Sequence, residues 1–415
     1  MNTNNTTPRA ANPSEVAASG TGAVASKDNA RFYDGVICFG GEDWWYHNRG
    51  HYDMQMMREC SARLPVLYVN SIGMRVPRVG EGRMFVHRVR RKLKSLRRGL
   101  VQVSERFAVF SPVVFPAGLG GPINNALLGG QVRQAARKMG IQHPLVWVVC
   151  PPGAKVVDRL KPVGVVYQRT DRFESYSDVD HGQIAGFDRL LKRRADLTLF
   201  CSSWLYSEEA EQCGRSLFVD HGVDYGMFEQ AGRGLVDEPE DLSDLPRPRV
   251  GFVGGIDAHT LDAELFLEVA SRLPDVHFFL VGACSLPEDW CRLSNVVILG
   301  KRDYNQVPAY MAAADVLIMP WNQNEWIQAC NPVKLKEYLA VGRPIVSTPF
   351  PELSAYESLV RIGPDAETFA EHIRKALSEP HDPVAGRTLV GSQTWDAKFR
   401  SVQQELADVG LHARR

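Results

Sequence analysis

The sequence predicts an α/β protein built from two Rossmann-like, doubly wound domains. Short apolar runs that end in Gly or Pro alternate with amphipathic stretches, and this alternation occurs in two series separated by an aperiodic acidic segment. Buried apolar strands that alternate with helices are typical of parallel sheets with crossover connections. The length of 415 residues also fits two or three domains.

The first series follows a polar segment of small residues, 1–30, which lacks the apolar core of a secretory signal and is expected to be disordered. Residues 31–228 then form the predicted N-terminal domain. Its predicted strands are Gly35–Phe39, Val66–Val69, Leu145–Val149, Gly164–Tyr167 and Leu197–Cys201. Its clearest predicted helices are Tyr52–Arg63 and Asn124–Met139.

The second series follows residues 229–248, which are acidic, Pro-rich and without periodicity, and are predicted to be an interdomain linker. Residues 249–390 form the predicted C-terminal domain, and 391–415 complete the chain. Its predicted strands are 249–255, 276–282, 296–300, 315–320 and 344–348. Its predicted helices are Thr260–Leu273, Gln306–Ala313 and Val333–Val341.

The composition argues against several classes of protein. The 48 Lys and Arg residues balance 48 Asp and Glu residues, which is poor support for a nucleic-acid partner. No stretch approaches the roughly 18 apolar residues of a membrane span. The eight cysteines lie apart, without metal-ligand spacing, so we expect reduced, mostly buried thiols in a cytoplasmic protein and no metal site.

The segment 331–344 carries the most chemical information. Asn331 and Pro332 fit a helix start, because Asn is a good cap and Pro is favoured at the first helical position. The helix N-terminus attracts phosphate oxygens, and Lys334 adds a positive charge one turn in. Glu337 lies on the same face as Lys334, where a carboxylate suits a ribose diol. The alternative is an ordinary capped helix with solvated charges.

The same segment, Asn-Pro-Val-Lys-Leu-Lys-Glu-Tyr-Leu-Ala-Val-Gly-Arg-Pro, resembles the donor-site helix of GT-B glycosyltransferases of group 1, or family 4-like. It follows the pattern N-P-x-K-x-x-E-Y-L-A-x-G-x-P of the subgroup that includes teichuronic-acid and surface-polysaccharide enzymes. Residues 221–228, 300–320 and 392–406 resemble further blocks of the family in the same order. The resemblance covers about residues 33–406.

The resemblance implies a GT-B fold, in which two Rossmann-like domains face each other across a cleft and a helix within 391–415 crosses back to the first domain. It implies transfer of a sugar from a nucleotide diphosphate donor to a cell-surface or exopolysaccharide glycan, polyprenyl-linked or free. No metal or other cofactor is expected, because the segments 40–53 and 165–176, expected at the cleft, contain no Asp-x-Asp motif.

The sequence also departs from the family pattern. The first of two glutamates in the retaining pattern would fall at Ala329, and His221 replaces a family Asn. Retaining and inverting stereochemistry therefore both remain open. Two alternative functions also remain: a nucleotide-sugar 2-epimerase of GT-B fold, and a non-catalytic GT-B protein that binds a glycan or a membrane.

Three more residues are predicted on the donor side. Gly254 and Gly255 follow a strand, and without Cβ atoms their backbone can approach a ligand closely, although a tight turn is an equal alternative. Arg302 follows the strand 296–300, and the resemblance places this loop beside the nucleotide base. A solvated loop arginine is the alternative.

The acceptor side is predicted from two segments of the first series. Arg169 and Asp171 follow a strand end, and a carboxylate there can act as the general base for an acceptor hydroxyl. Asp171 is therefore the predicted base or acceptor contact, and a turn Asp is the alternative. Asp43, Arg49 and His51 lie in a second segment dense in aromatic residues, and the resemblance places it along the acceptor side.

The segment 83–100 has eight Lys and Arg residues and no acidic residue, with apolar residues at helical spacing. A basic amphipathic helix of this kind binds anionic membrane surfaces. We therefore predict a peripheral position on the inner face of the cell membrane. A solvated basic face over an apolar core stripe is the alternative.

Overall fold

The computed structural model describes residues 30–46, 50–73, 90, 94–113, 121–176, 179–324, 327–328, 330–331 and 333–414. Within these residues it contains an eight-stranded sheet, a six-stranded sheet and a two-stranded sheet. Helices pack against the two large sheets. The predicted α/β class with two doubly wound domains is confirmed.

The N-terminal domain contains the eight-stranded sheet. The strands up to residue 218 are β1 (Arg31–Tyr33), β2 (Gly35–Phe39), β3 (Val66–Val69), β4 (Leu100–Ser104), β5 (Phe107–Phe110), β6 (Pro144–Val148), β7 (Gly164–Arg169), β8 (Leu197–Phe200) and β9 (Ser216–Phe218). The helices are α1 (Tyr52–Ser61), α2 (Gly121–Lys138), α3 (His181–Arg194) and α4 (Ser203–Glu209). The strand order is β4-β5-β3-β2-β6-β7-β8-β9, with only the β4–β5 pair antiparallel.

The C-terminal domain contains the six-stranded sheet. The remaining strands are β10 (Arg249–Val253), β11 (His277–Val281), β12 (Val296–Gly300), β13 (Val316–Met319), β14 (Ile345–Ser347), β15 (Arg361–Ile362) and β16 (Leu411–Ala413). The helices are α5 (Tyr225–Gly232), α6 (Ala263–Arg272), α7 (Val307–Ala313), α8 (Val333–Val341), α9 (Ala366–Ser378), α10 (Val384–Gly391) and α11 (Trp395–Asp408). The sheet order is β12-β11-β10-β13-β14-β15, and every pair is parallel.

Both large sheets reverse their order at one point. The reversal lies between β2 and β6 in the first domain and between β10 and β13 in the second. In open α/β sheets, ligands bind outside the carboxyl ends of the strands at this point. The topology therefore predicts a ligand site at the loops that follow these four strands.

The local sequence explains why these elements form. Every residue of β2, β3, β6 and β7 is buried, as expected for central strands covered by helices on both faces. Several helices begin at a residue whose side chain accepts a hydrogen bond from the first turn, namely Asp180, Ser202, Asp262, Asp365 and Thr394. Short 3₁₀ turns lie at Pro151–Lys155, Val157–Leu160, Phe173–Ser175, Ala210–Gln212, Glu240–Leu242 and Pro351–Tyr356.

The prediction that residues 229–248 form a free interdomain linker is wrong, because these residues pack on the C-terminal domain and the connection between the domains begins earlier. Helix α5 already packs on the C-terminal domain, and Phe228 lies in the core of that domain. Leu242 is buried in the same core, within residues 229–248. These apolar side chains hold the acidic segment against the second domain. The chain therefore leaves the N-terminal domain before residue 225.

The C-terminal residues return to the N-terminal domain, as predicted. Trp395, Phe399 and Leu406 of α11 lie in the core of that domain. The strand β16 then pairs with β1 in parallel. The two segments that connect the domains lie side by side, because Val223 forms a bridge with Thr394.

Among the residues described, no helix is long and apolar enough to cross a membrane. Most of the basic segment 83–100 lies outside the described residues, and so does nearly all of segment 1–30. The predicted membrane surface and the predicted disorder therefore stay predictions.

Candidate functional site

The carboxyl-end loops of the two large sheets face each other across a cleft. Lys301, which follows β12, donates to the backbone carbonyl of Tyr46 in the loop after β2. Ser203, which follows β8, donates its backbone N–H at 3.0 Å and its hydroxyl at 2.6 Å to Glu352, which follows β14. The ligand-binding edges predicted by the topology therefore line one interdomain cleft.

Helix α8 presents a charged group at its first turn. The ammonium of Lys334 lies 2.6 Å from Oε2 of Glu337, and the hydroxyl of Tyr304 donates to Oε1 at 3.2 Å. Val333, at the start of α8, packs against the core of the N-terminal domain. The first turn of α8 therefore lies at the cleft, and the predicted shared face of Lys334 and Glu337 is present.

The carboxylate of Glu337 is too buried for the ribose contact that the sequence predicts. Its side chain is 0% exposed, whereas that of Lys334 is 19% exposed. Lys334 and Tyr304 occupy its two oxygens, so a ribose would reach the carboxylate only after one of these contacts opens. Asn331 lies two residues before the first residue of α8, while Pro332 and Ala329 lie outside the described residues.

The glycines predicted on the donor side lie in a tightly packed turn. Gly254 follows β10, and its carbonyl oxygen would be only 1.6 Å from a Cβ atom placed on Gly282. Gly255 is exposed at the carboxyl edge of the sheet. The side-chain amide of Asn322 stabilises the loop that follows Gly255 by donating hydrogen bonds to the carbonyls of Ala258 and Leu261. The backbone at this edge is therefore held in place beside the cleft.

The guanidinium of Arg302, predicted beside the nucleotide base, is held by protein partners. Its guanidinium bonds to Asp241, to the hydroxyl of Tyr310 and to the carbonyl of Leu299. Asp241 belongs to the segment predicted to be a free linker. Arg302 therefore ties that segment to the C-terminal domain, and its predicted contact with a nucleotide base stays a prediction.

Asp171, the predicted base, lies in the turn that follows β7. It is half-buried and accepts hydrogen bonds from Tyr176 and Thr170. Burial raises the pKa of its carboxyl group, and the nearby charge of Arg169 opposes the rise. The charge of Asp171 adds to the effect of burial in raising the pKa of the Cys330 thiol, which lies three residues before α8.

Arg169 is not an acceptor ligand in this structure. Its side chain is 0% exposed and pairs with Glu174 at 2.8 Å and with Glu209 at 3.0 Å. Asp188 and Lys192 complete the same buried ion cluster. The sequence could not show that α3 and α4 bring these charges to the end of β7. The cluster instead anchors the turn that carries Asp171.

The loop after β2 is shaped by polar residues that the sequence analysis did not single out. Asp53 accepts from the backbone N–H of Gly41 at 3.0 Å and from the hydroxyl of Tyr68 at 2.8 Å. Asn70 accepts from the backbone N–H of Trp44 at 2.9 Å. Asp43 caps its own turn, because its carboxylate accepts from a backbone N–H two residues on. Its predicted acceptor role has no separate support here.

His51 is exposed at the start of α1, directly before Tyr52, whose ring packs on His221 in the connection between the domains. Arg49 lies outside the described residues, and its acceptor role stays a prediction. The indole of Trp44 packs on Tyr68 and Phe107 in the core.

The residues missed by the sequence analysis share one property: their partners are distant along the chain. Tyr304 and Glu352 each follow a strand, and this position is the sequence signal that could have identified them as site residues. Asp220 likewise follows a strand, β9, whereas Lys336 offered no signal, because a lysine inside a helix usually faces solvent. Among the described residues, no group of three His, Cys, Asp or Glu side chains could hold a metal ion.

The fold and the cleft define a GT-B protein, and comparison with solved structures supports this class. Sucrose-phosphate synthase from Thermosynechococcus elongatus superimposes with a TM-score of 0.65 at 14% identity, covering 91% of this chain and 99% of that one. HepE of Anabaena, in a complex with UDP-glucose, superimposes with a TM-score of 0.63 at 14% identity, covering 89% and 99%. The predicted GT-B fold is confirmed.

The sequence comparisons point to one family within this class. Residues 247–379 match the profile of the family described as glycosyl transferases group 1. TuaH of Bacillus subtilis, named as a teichuronic acid biosynthesis glycosyltransferase, is 30% identical over 234 residues. That match spans 51% of this chain and 57% of TuaH. The resemblance recognised in the sequence is confirmed.

Proposed function

We propose that this chain is a glycosyltransferase that moves a sugar from a nucleoside diphosphate donor to a surface glycan. The C-terminal domain holds the donor, and the N-terminal domain holds the acceptor. The observation that carries the proposal is the Lys334–Glu337 pair at the first turn of α8, beside the cleft, within the domain that matches the group 1 profile.

The donor diphosphate binds at the N-terminus of α8. The unpaired backbone N–H groups of a helix N-terminus and an adjacent lysine together stabilise phosphate oxygens. Lys334 uses one N–H on Glu337 and has two left for the diphosphate. The same groups stabilise the charge that develops on the leaving diphosphate during transfer.

The acceptor hydroxyl binds near Asp171. In an inverting reaction, the Asp171 carboxylate accepts the hydroxyl proton while the oxygen attacks the anomeric carbon and the diphosphate leaves. In a retaining reaction no such base is needed, and Asp171 orients the acceptor. The raised pKa of Asp171 suits a proton acceptor that must later release the proton.

The acceptor class is a cell-surface or exopolysaccharide glycan, polyprenyl-linked or free. The support is the similarity to TuaH, whose name places it in teichuronic acid biosynthesis. A lipid-linked acceptor fits a cytoplasmic enzyme that binds the inner membrane face through the basic segment 83–100. Liposome flotation with and without anionic lipid tests that part separately.

A thermal-shift screen with UDP, GDP, ADP and dTDP tests the donor site, with UDP first because HepE was solved with UDP-glucose. A ligand that binds only the folded state raises the melting temperature, by about 3–8 °C at a hundredfold excess over Kd. Lys334→Ala should lose the shift. Lys375→Ala, which removes an exposed lysine paired with Glu371, should keep it.

Three outcomes separate the candidate functions. A shift that depends on Lys334 supports the donor site and names the nucleotide. Conversion of the sugar nucleotide to its isomer without any acceptor would instead support the 2-epimerase. No shift with any of the four nucleotides would contradict the donor site and favour a non-catalytic protein.

A further inference from the structure

Lys336 lies on α8 between Lys334 and Glu337, but its side chain points elsewhere. Residues two apart on an α-helix project roughly 200° apart around the axis, so Lys336 leaves the face that carries Lys334. Its side chain is 2% exposed. Its ammonium donates to the carboxylate of Asp220 and, at 2.6 Å, to the backbone carbonyl of His221.

Asp220 joins α8 to both connections between the domains. It lies on the segment by which the chain first leaves the N-terminal domain, just after β9. Its second carboxylate oxygen accepts from Lys398 on α11, the helix by which the chain returns. The segments are tightly packed here, because a Cβ atom on Gly222 would lie 2.6 Å from the backbone of Trp395.

Lys336, Lys398 and Asp220 form an ion cluster, and Glu352 adds a second negative charge that makes the cluster neutral. The carboxylate of Glu352 is close enough for its charge to act on both Lys336 and Asp220, and Glu352 bonds to Ser203 of the N-terminal domain. Two ammonium and two carboxylate groups are thus gathered where the domains meet. Burial lowers the pKa of Lys336 to about 8, and the charge of Asp220 opposes that change.

Stability alone does not account for such a cluster. Desolvating a charge is costly, and apolar side chains of similar volume are often at least as stabilising as a buried ion pair. What an ion cluster adds is a defined geometry between the parts that it joins. Here those parts are the donor-site helix and the two chain connections.

We propose that Lys336 is a positioning residue of the donor site: through Asp220 it fixes α8 to the point where the chain crosses between the domains. The position of Lys334 and Glu337 at the cleft then depends on the arrangement of the two domains. The role of Lys334 in donor binding rests on the proposed function. The link between α8 and the crossing point does not.

Hydrogen exchange in the ligand-free protein tests the link without any substrate. In Lys336→Met, amides in residues 219–224 and 333–341 should exchange faster, on the order of tenfold, because the ion pair that joins the two segments is lost. Lys375→Met is the matched control and should leave both segments unchanged. Unchanged exchange in Lys336→Met would overturn the proposal.

Lys398→Met provides a second variant in case Lys336→Met does not fold. Lys398 is 20% exposed, so its loss is better tolerated, and the Lys336–Asp220 pair remains. A smaller acceleration in the same two segments is expected. Acceleration spread evenly over both domains would overturn the proposal, because it would indicate global destabilisation.

UDP affinity, measured by calorimetry well below the melting temperature, distinguishes positioning from stability. Lys336→Met should weaken UDP binding by on the order of tenfold, and Lys336→Arg should recover most of it. A lower melting temperature with unchanged UDP affinity would overturn the positioning role. If the wild type binds none of the four nucleotides, the proposed function fails, and the exchange experiment alone decides whether Lys336 links α8 to the crossing point.

Discussion

Lys334 and Glu337 form an ion pair in which the ammonium nitrogen lies 2.6 Å from the carboxylate. The hydroxyl of Tyr304 donates to the other oxygen of Glu337. Glu337 is fully buried, and its carboxylate is stabilised by the ammonium of Lys334 and by the hydrogen bond from Tyr304. The pair therefore fixes the direction in which Lys334 reaches the cleft.

Glu337→Gln should lower the free energy of unfolding by about 2 kcal/mol, because Lys334 loses its charged partner while the shape is kept. Urea denaturation at pH 7 measures the change. Glu371→Gln removes an exposed carboxylate paired with Lys375 and should cause no measurable change. A Glu337→Gln variant as stable as the wild type would contradict the importance of this pair.

Asp171→Asn should lower the transfer rate by about 10²–10⁴-fold if Asp171 is the general base, because the amide cannot accept the proton. The nucleotide-induced rise in melting temperature should remain, since Asp171 lies in the N-terminal domain and the proposed donor site lies in the C-terminal domain. Asp158→Asn, at an exposed carboxylate paired with Arg194, is the control. Full activity of Asp171→Asn would exclude the base role.

The pH dependence of transfer should reflect the raised pKa of Asp171. Only the carboxylate accepts a proton, so activity falls as acidification protonates it. Because burial raises this pKa, the fall should begin at a higher pH than the ordinary Asp value of 3.8 would give. A profile of kcat/KM against pH measures it, and an acid limb at or below that value would count against Asp171.

Arg169→Met should destabilise the N-terminal domain by about 3–5 kcal/mol, because it leaves Glu174 without its cation and Glu209 with Lys192 as its one remaining cation in the cluster. Arg194→Met removes an exposed arginine paired with Asp158 and should have little effect. Urea denaturation of both variants makes the comparison. Equal stability of the two would show that the buried cluster contributes nothing.

The sequence predicted the elements whose residues are buried on both faces. The fully buried strands Gly35–Phe39 and Val66–Val69 and the helix Val333–Val341 have the predicted bounds. Continuous apolar runs between Gly and Pro are a local signal, so they can be recognised without the fold. The three-residue pairing of β1 with β16 could not be predicted, because it joins the two ends of the described chain.

The candidate site was predictable where its chemistry is local. Lys334 and Glu337 share a helix, and their spacing alone places them on one face. Arg169 and Arg302 were expected at the cleft because each follows or ends a strand, but acidic residues from other elements hold both guanidinium groups. The direction of a long side chain depends on such distant partners, which a strand pattern does not contain.

His221 should make the protein sensitive to acid. Its ring is buried between Tyr52 and Trp395, and burial, then the charge of Lys336, lowers its pKa from 6.5 to about 3. Between these values the unfolded chain binds a proton that the folded chain does not, so the free energy of unfolding decreases as the pH falls. The loss should reach about 4 kcal/mol by pH 3. In His221→Asn this contribution is absent, so urea denaturation from pH 7 to pH 4 should give a shallower decline than in the wild type or in exposed His143→Asn; equal slopes would show that His221 does not control acid stability.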